Sequence, residues 1–425
     1  MTDAEGFALL PDLAAEARYR RTTLAIAAGT GLASFSMNFW WPFLPLYLRH
    51  LGATSDANAL FWVAIATTVQ GFARLLSGPF WGVLSDRYGR KLMFVRALFA
   101  ATITTVIAAV AHAPWVIVVS LTMQGLFSGF VPAAIALASV SVPDARLSRS
   151  LGTVTGGQYL GGTLGPAFGA ILATTLGFRG AIVAAAVLPA LAAAWVVFAV
   201  PRDAVEPRTP GQSRPSQPMP RRVSLGALSG FNRQFYLAIF LYFALFALNQ
   251  LVRVATPIAL EDIAGEGHAQ AASGVAFTLA GAAAVLGVMV LARFATNRWT
   301  VRQTLVIFCL AAAAAHPLLA VGQSVAVYMA GLAVISLING AAMPSTNTLI
   351  AGSVDASRRG TAFGLASSAQ AIAFMVGPMA AAGFAAASLP LGFMVAGAVF
   401  AGLALLLFLL LREPVTIGPM TAVQR

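Results

Sequence analysis

Runs of about 20 apolar residues, each able to cross the roughly 30 Å hydrocarbon core of a bilayer as a helix, follow one another along nearly the whole chain. Inside hydrocarbon every backbone N–H and C=O must find a partner within the chain, so such runs are confined to helices. Twelve are read, at about 22–48, 58–84, 92–111, 115–138, 149–175, 179–200, 235–260, 271–293, 303–321, 325–350, 359–386 and 390–411. With 59% hydrophobic and 9% charged residues, the 425-residue chain carries more apolar surface than one aqueous core can hide. The predicted fold class is an all-α polytopic membrane protein with 12 transmembrane helices.

Charge sets the expected orientation. Of 26 Lys and Arg, about 22 fall in the termini and alternate loops of one side, Arg49 and Arg179 on the other, and Arg74 and Arg253 inside spans. The crowded side is predicted to be cytoplasmic, with both termini there, in a multi-pass protein of the cell inner membrane. A net charge of +12 distributed this way reads as a topology signal, and no nucleic-acid partner is expected. The first run, Thr22 to Leu48, is too long for a signal-peptide core and is expected to remain as the first helix. Cys309 stands alone, so no disulfide framework or thiolate metal cluster is expected, and neither a metal nor a cofactor is predicted.

The chain divides at Pro201–Gln234, where six prolines and six arginines lie between Pro201 and Arg233. This reads as a polar cytoplasmic linker. The expected organisation is a tail at 1–21, a six-helix half at 22–200, the linker at 201–234, a second six-helix half at 235–411 and a tail at 412–425. Internal spacing marks the halves as repeats, since Pro166 follows Pro132 at the same interval as Pro378 follows Pro344. Gln158 and Gln370 then match, and Asn38-x-x-x-Pro42 is aligned with Arg253-x-x-x-Pro257.

Two motifs carry a resemblance. Gly82 to Lys91 reads GVLSDRYGRK between two apolar runs, and is predicted to be a tight loop at the membrane surface. The pattern of Gly82, Asp86, Arg87, Gly89 and Arg90 resembles motif A of the major facilitator superfamily. Gly157, Gly161, Gly165-Pro166 and Gly169 put a glycine every four residues on one helix face, which allows close helix packing. Their spacing resembles motif C of that superfamily, associated with drug:proton antiporters, and Phe43 to Gly52 resembles bacterial multidrug efflux members. The resemblance implies two pseudo-symmetric six-helix halves around a midplane site. It also implies an alternating-access exporter in which Asp86 and its arginines gate the cytoplasmic side. The second copy, Arg293 to Arg302, has Asn297 where the first has Asp86 and reads as degenerate.

Proton-coupled antiport is implied by the resemblance, yet no proton carrier is evident. Leu121 stands three residues before Gln124-Gly125, where these antiporters have arginine, and all fourteen acids lie in loops, tails or helix ends. His316, before Pro317, is the one titratable residue of suitable pKa well inside a span, and reads as structural in preference to the alternative of a proton relay. An arginine at a span centre costs about 2.5–3.5 kcal/mol even on the lenient scale, so Arg74 and Arg253 are expected to face a cavity or a partner. They are the candidate clamps for a small organic solute, anionic or polyoxygenated. Asn38, Gln70, Gln158, Asn249, Asn339 and Gln370 are the candidate hydrogen-bonding residues around it. General multidrug efflux and organic-anion uptake are the alternatives within transport, and a non-transporting sensor the alternative outside it. No catalytic constellation is found, so an enzyme is not expected. The working unit is expected to be a monomer whose partners are substrate, protons and the lipid bilayer.

Overall fold

The computed structural model describes residues 13–200, 231–265, 267–322, 324–354 and 358–412. Most of the expected linker, and the ends of both tails, lie outside the described residues. The regular structure of the described residues is helical. The chain forms two compact units, Met1–Tyr47 with Val69–Glu206, and Leu48–Thr68 with Pro207–Arg425. Residues 48–68, read from sequence as part of the first half, thus group with the second.

The first helix, α1, spans Leu13–Trp40, so residues read as tail are its first turns. Pro42 fixes φ and removes a donor, and a 3₁₀ turn at Trp41–Phe43 leads into α2, Leu44–His50. Next come α3, Asp56–Tyr88, and α4, Arg90–Ala109. The predicted surface loop at 82–91 is therefore almost entirely helix. Gly89, at φ 97°, makes the turn, because a residue without Cβ enters the left-handed region at no steric cost.

The fourth predicted span is broken into α5, Pro114–Phe127, and α6, Phe130–Ser141. Two side chains of α3 bond carbonyls near the end of α5: Ser77 Oγ donates to Gly125 O (3.1 Å) and Trp81 Nε1 to Leu126 O (2.6 Å). Two predicted spans run together as α7, Asp144–Ala199, with the helix interrupted at Gly177 (φ 72°, ψ 172°). Its apolar stretch, Ser150–Ala199, is 50 residues, about 75 Å at 1.5 Å per residue and enough for two crossings.

The second unit contains α8 (Arg233–Ala264), α9 (Ala269–Leu286), a π turn at Gly287–Leu291 and α10 (Ala292–Arg298). It continues with α11 (Val301–Val321), α12 (Val325–Gly352), α13 (Arg359–Ala387) and α14 (Leu389–Leu410). Side chains cap four of these starts: Asn232 accepts from Phe235 N, Thr300 from Gln303 N, Ser324 from Val327 N and Ser388 from Leu391 N.

Among the described residues, ten helical segments are long and apolar enough to cross a membrane, the 50-residue stretch counting once. The first helix is not among the ten, its apolar residues being diluted by Thr22, Thr23, Thr30, Ser34, Ser36 and Asn38. Each unit has its own apolar core: Ile26, Phe94, Leu98, Leu137 and Val196 in the first, and Phe235, Leu241, Phe308, Phe400 and Leu407 in the second.

Candidate functional site

In the first unit the glycine stripe of α7 lies directly on the backbone of α1. A Cβ on Gly157 would stand 2.5 Å from Ala27 O, and one on Gly165 2.7 Å from Phe35 O. At Gly161 and Gly169 it would overlap the carbonyl oxygens of Gly31 and Phe39. The interval in sequence between each glycine and its partner is the same at all four contacts, so the two helices run parallel in constant register. Pro166 sits inside α7 without ending it. Asn38 lies at the seam: its Nδ2 donates to Ser34 O (2.9 Å), and a Cβ on Gly162 would be 3.5 Å from that nitrogen. Gln158, one turn before Gly162, is half-buried.

The second unit repeats this contact in other residues. A Cβ on Gly377 of α13 would meet Ala247 O and the Cβ of Gln250, both at 2.6 Å. Gly377 stands at the same interval from Ala247 as Gly165 does from Phe35. The counterpart of Asn38, whose Cβ faces Gly165, is therefore Gln250. The expected alignment of Asn38 with Arg253 is corrected by one helical turn, because the prolines that suggest it sit at different depths relative to the seam. Gln250 is buried, Asn249 and Arg253 are half-buried on α8, and Gln370 is half-buried on α13.

Gln70 is buried and committed. Its Nε2 donates to Gln124 Oε1 (2.7 Å), and Gln124 Nε2 reaches Met37 Sδ (3.3 Å). In sequence Gln124 reads only as a landmark, although an amide in an apolar run signals that a partner is required. Arg74, one turn beyond Gln70, has an exposed side chain. Asn339 is buried with neither amide atom hydrogen-bonded, beside a narrow cavity lined by Leu245, Leu305, Phe308, Cys309, Ile338, Ala342 and Phe400. His316 is enclosed: Nδ1 bonds Ala312 O (2.7 Å) and the ring packs 5.0 Å from Phe400. The structure thus groups Asn38 with the glycine seam and Gln70 with Gln124, and sets Asn339 against an apolar wall.

At the turn after α3, Arg87 is exposed, with its guanidinium 5.5 Å from the Tyr88 ring. Arg90 Nη1 donates to Ala136 O (3.1 Å) and Ser139 Oγ (3.2 Å), and Lys91 Nζ to Val197 O (2.8 Å). Arg302 makes the matching bond to Phe408 O in the second unit. Arg302 lies as far beyond Lys91 as Phe408 lies beyond Val197, so the second copy retains this tie at the start of α11. Gly82 and Asp86, the residues expected to gate, lie in the last turns of α3. Arg96, counted from sequence among the loop cations, lies within α4 and stacks on Trp81 (3.4 Å to the ring centre).

A sequence profile of the Major Facilitator Superfamily matches residues 26–315 and 246–421. The chain belongs to the major facilitator superfamily. It is 34% identical over 161 residues to the Multidrug resistance protein MdtG of Escherichia coli O1:K1 / APEC, and equally to that of strain K12 / DH10B. Each match covers 38% of this chain and 40% of the relative, so the chain spans two fifths of the length of these curated relatives.

Among solved structures, a bacterial homologue of the human lysosomal transporter Spinster, inward-facing and unoccupied, superposes with a TM-score of 0.70 at 13% identity. The match covers 92% of this chain and 96% of that one. The human organic anion transporter MFSD10 gives 0.63 at 20% identity, covering 93% and 99%. These structures establish the shared fold.

Proposed function

We propose that the chain is a twelve-span secondary active transporter that exports a small organic solute by alternating access, in antiport with protons. The observation that carries this reading is the glycine seam. Four glycines in register let α7 meet the backbone of α1, the arrangement expected of a motif C helix. Similarity to MdtG, a multidrug resistance protein, supports export over the matched residues. Both termini and the Pro201–Gln234 linker are on the cytoplasmic side of the inner membrane in this reading, and one chain is the working unit.

The proposed substrate is anionic or polyoxygenated. Its clamps are Arg74 and Arg253, whose planar guanidinium groups offer paired donors to a carboxylate or phosphate. Asn38, Gln158, Asn249, Asn339 and Gln370 would orient it. Gln70 contributes through its pair with Gln124, which holds α3 on α5 one turn from Arg74. The test is transport by reconstituted protein of matched anionic and cationic solutes, with Arg74→Leu and Arg253→Leu alongside. Anion transport should fall about tenfold or more in each variant, since losing one charge-assisted contact is worth roughly 1.5–3 kcal/mol. Robust transport of lipophilic cations, undiminished in both variants, would overturn the anionic assignment in favour of general multidrug efflux.

A further inference from the structure

We propose that Arg96 and Trp81 form a docking site for the phosphate of an anionic membrane lipid. The site lies on the outward apolar face of α4. Leu92, Phe99, Ile103, Val106 and Val110 recur at three- and four-residue spacing and are all exposed, the pattern of a helix face turned to hydrocarbon. Arg96 is on this same face, one turn after Leu92 and one before Phe99. A cation there needs a reason.

Three observations point to a bound anion. The guanidinium carbon of Arg96 lies 3.4 Å from the centre of the Trp81 ring, a cation held over an aromatic face. That plane is itself anchored, since Trp81 Nε1 donates to Leu126 O at 2.6 Å and its ring packs against Phe127. The stack leaves Arg96 Nε and Nη1 buried without hydrogen-bond partners. By contrast, Arg90 and Lys91, nearer the helix start, already donate to protein carbonyls. Unpaired donors on a charged, half-buried side chain call for an acceptor, which a small turn of the guanidinium would bring within reach, and the described residues around them supply none.

The chemistry of that acceptor follows from its setting. A helical side chain leans towards the N-terminus, here the end that carries Arg87, Arg90 and Lys91, and a long cation on an apolar face reaches towards the headgroup layer. Phe80 and Leu92, both exposed, flank the site. A soluble anion would have to leave water to sit among these side chains. A lipid brings its phosphate to this depth with alkyl chains that cover the same apolar face, so the structure favours lipid over free phosphate.

The test uses the full-length protein in detergent, titrated with phosphatidylglycerol or with phosphatidylcholine of the same chains. Retained lipid is counted by native mass spectrometry and thermal unfolding is followed in parallel. Wild-type protein should retain phosphatidylglycerol at least fivefold better, and Arg96→Gln should reduce that preference to below twofold. Trp81→Phe, which keeps a ring but loses the bond to Leu126, should give an intermediate value and serves if Arg96→Gln does not fold. An undiminished preference in Arg96→Gln, or in Trp81→Phe if that alone folds, would overturn the proposal. So would equal stabilisation by inorganic phosphate at matched concentration, which would place a soluble anion there instead.

Discussion

The two units make the same helix contact with different residues. In the first, α7 meets α1 through Gly157, Gly161, Gly165 and Gly169; in the second, α13 presents Ala369, Ala373, Gly377 and Ala381 at one constant offset along the chain, and Gly377 alone of these is glycine. Ala373 and Ala381 are fully buried, so the second seam accommodates methyl groups that the first has no room for. Helix starts differ in the same sense. Thr300, Ser324 and Ser388 cap α11, α12 and α14, although α9 and α13 begin uncapped after His268 and Arg358, whereas α4, α5, α6 and α7 all begin after Gly89, Ala113, Gly129 and Pro143 without a side-chain cap. A repeat can therefore preserve where helices touch while changing what fills the contact. At this seam the first unit relies on backbone apposition and the second on side-chain packing, although elsewhere in the second unit Gly287 and Gly340 also lie directly on backbone carbonyls.

That contrast can be broken most directly at the seam. Gly161→Leu would force a branched side chain into the α1 backbone and should cost about 3 kcal/mol, near the upper end for overpacking. Ala373→Gly, its counterpart, should cost only roughly 0.5–1 kcal/mol through lost helix propensity. Thermal unfolding of both purified variants measures the difference, and similar losses would remove the contrast drawn between the two seams.

The next effect concerns the turns. If Asp86 gates as the motif A resemblance implies, Asp86→Asn should slow transport about tenfold, a change of roughly 1.4 kcal/mol in the barrier, while leaving unfolding unchanged. Asn297→Ala, in the second copy, should change transport less than twofold. Wild-type turnover in Asp86→Asn would remove the asymmetry between the turns. The smallest effect should come from lending the first unit a cap of the second kind. Ala113 has the extended backbone of an N-cap (φ −152°, ψ 156°) before Pro114, so Ala113→Ser should stabilise by up to about 1 kcal/mol, read as a raised unfolding temperature.

Much of the architecture is legible in the residues themselves. Run length against bilayer thickness dictates helices, and the equal spacing of Pro132–Pro166 and Pro344–Pro378 announces the repeat. The glycine stripe also announces a close contact, because a four-residue period has one meaning on a helix. Its partner is not legible: nothing in the pattern selects α1, or pairs Gly161 with Gly31. Asn38 aligns with Arg253 in sequence for the same reason, prolines being visible in the chain and the seam not. Gln70 reads as a ligand because an amide in a span demands a partner, but the partner, Gln124, lies on another helix.

The division follows from the solvent. A bilayer imposes length, helicity and the sidedness of charge on each segment separately, so local sequence determines all three. It leaves nearly every face of every helix apolar, so the rotation and register of one helix against another are not written in hydrophobic periodicity. They are decided by close packing and by the few polar groups that must meet. The turn after α3 shows both at once: its charges and glycines mark a membrane surface, while only the tertiary structure reduces the loop to Gly89 and lays Arg96 on Trp81.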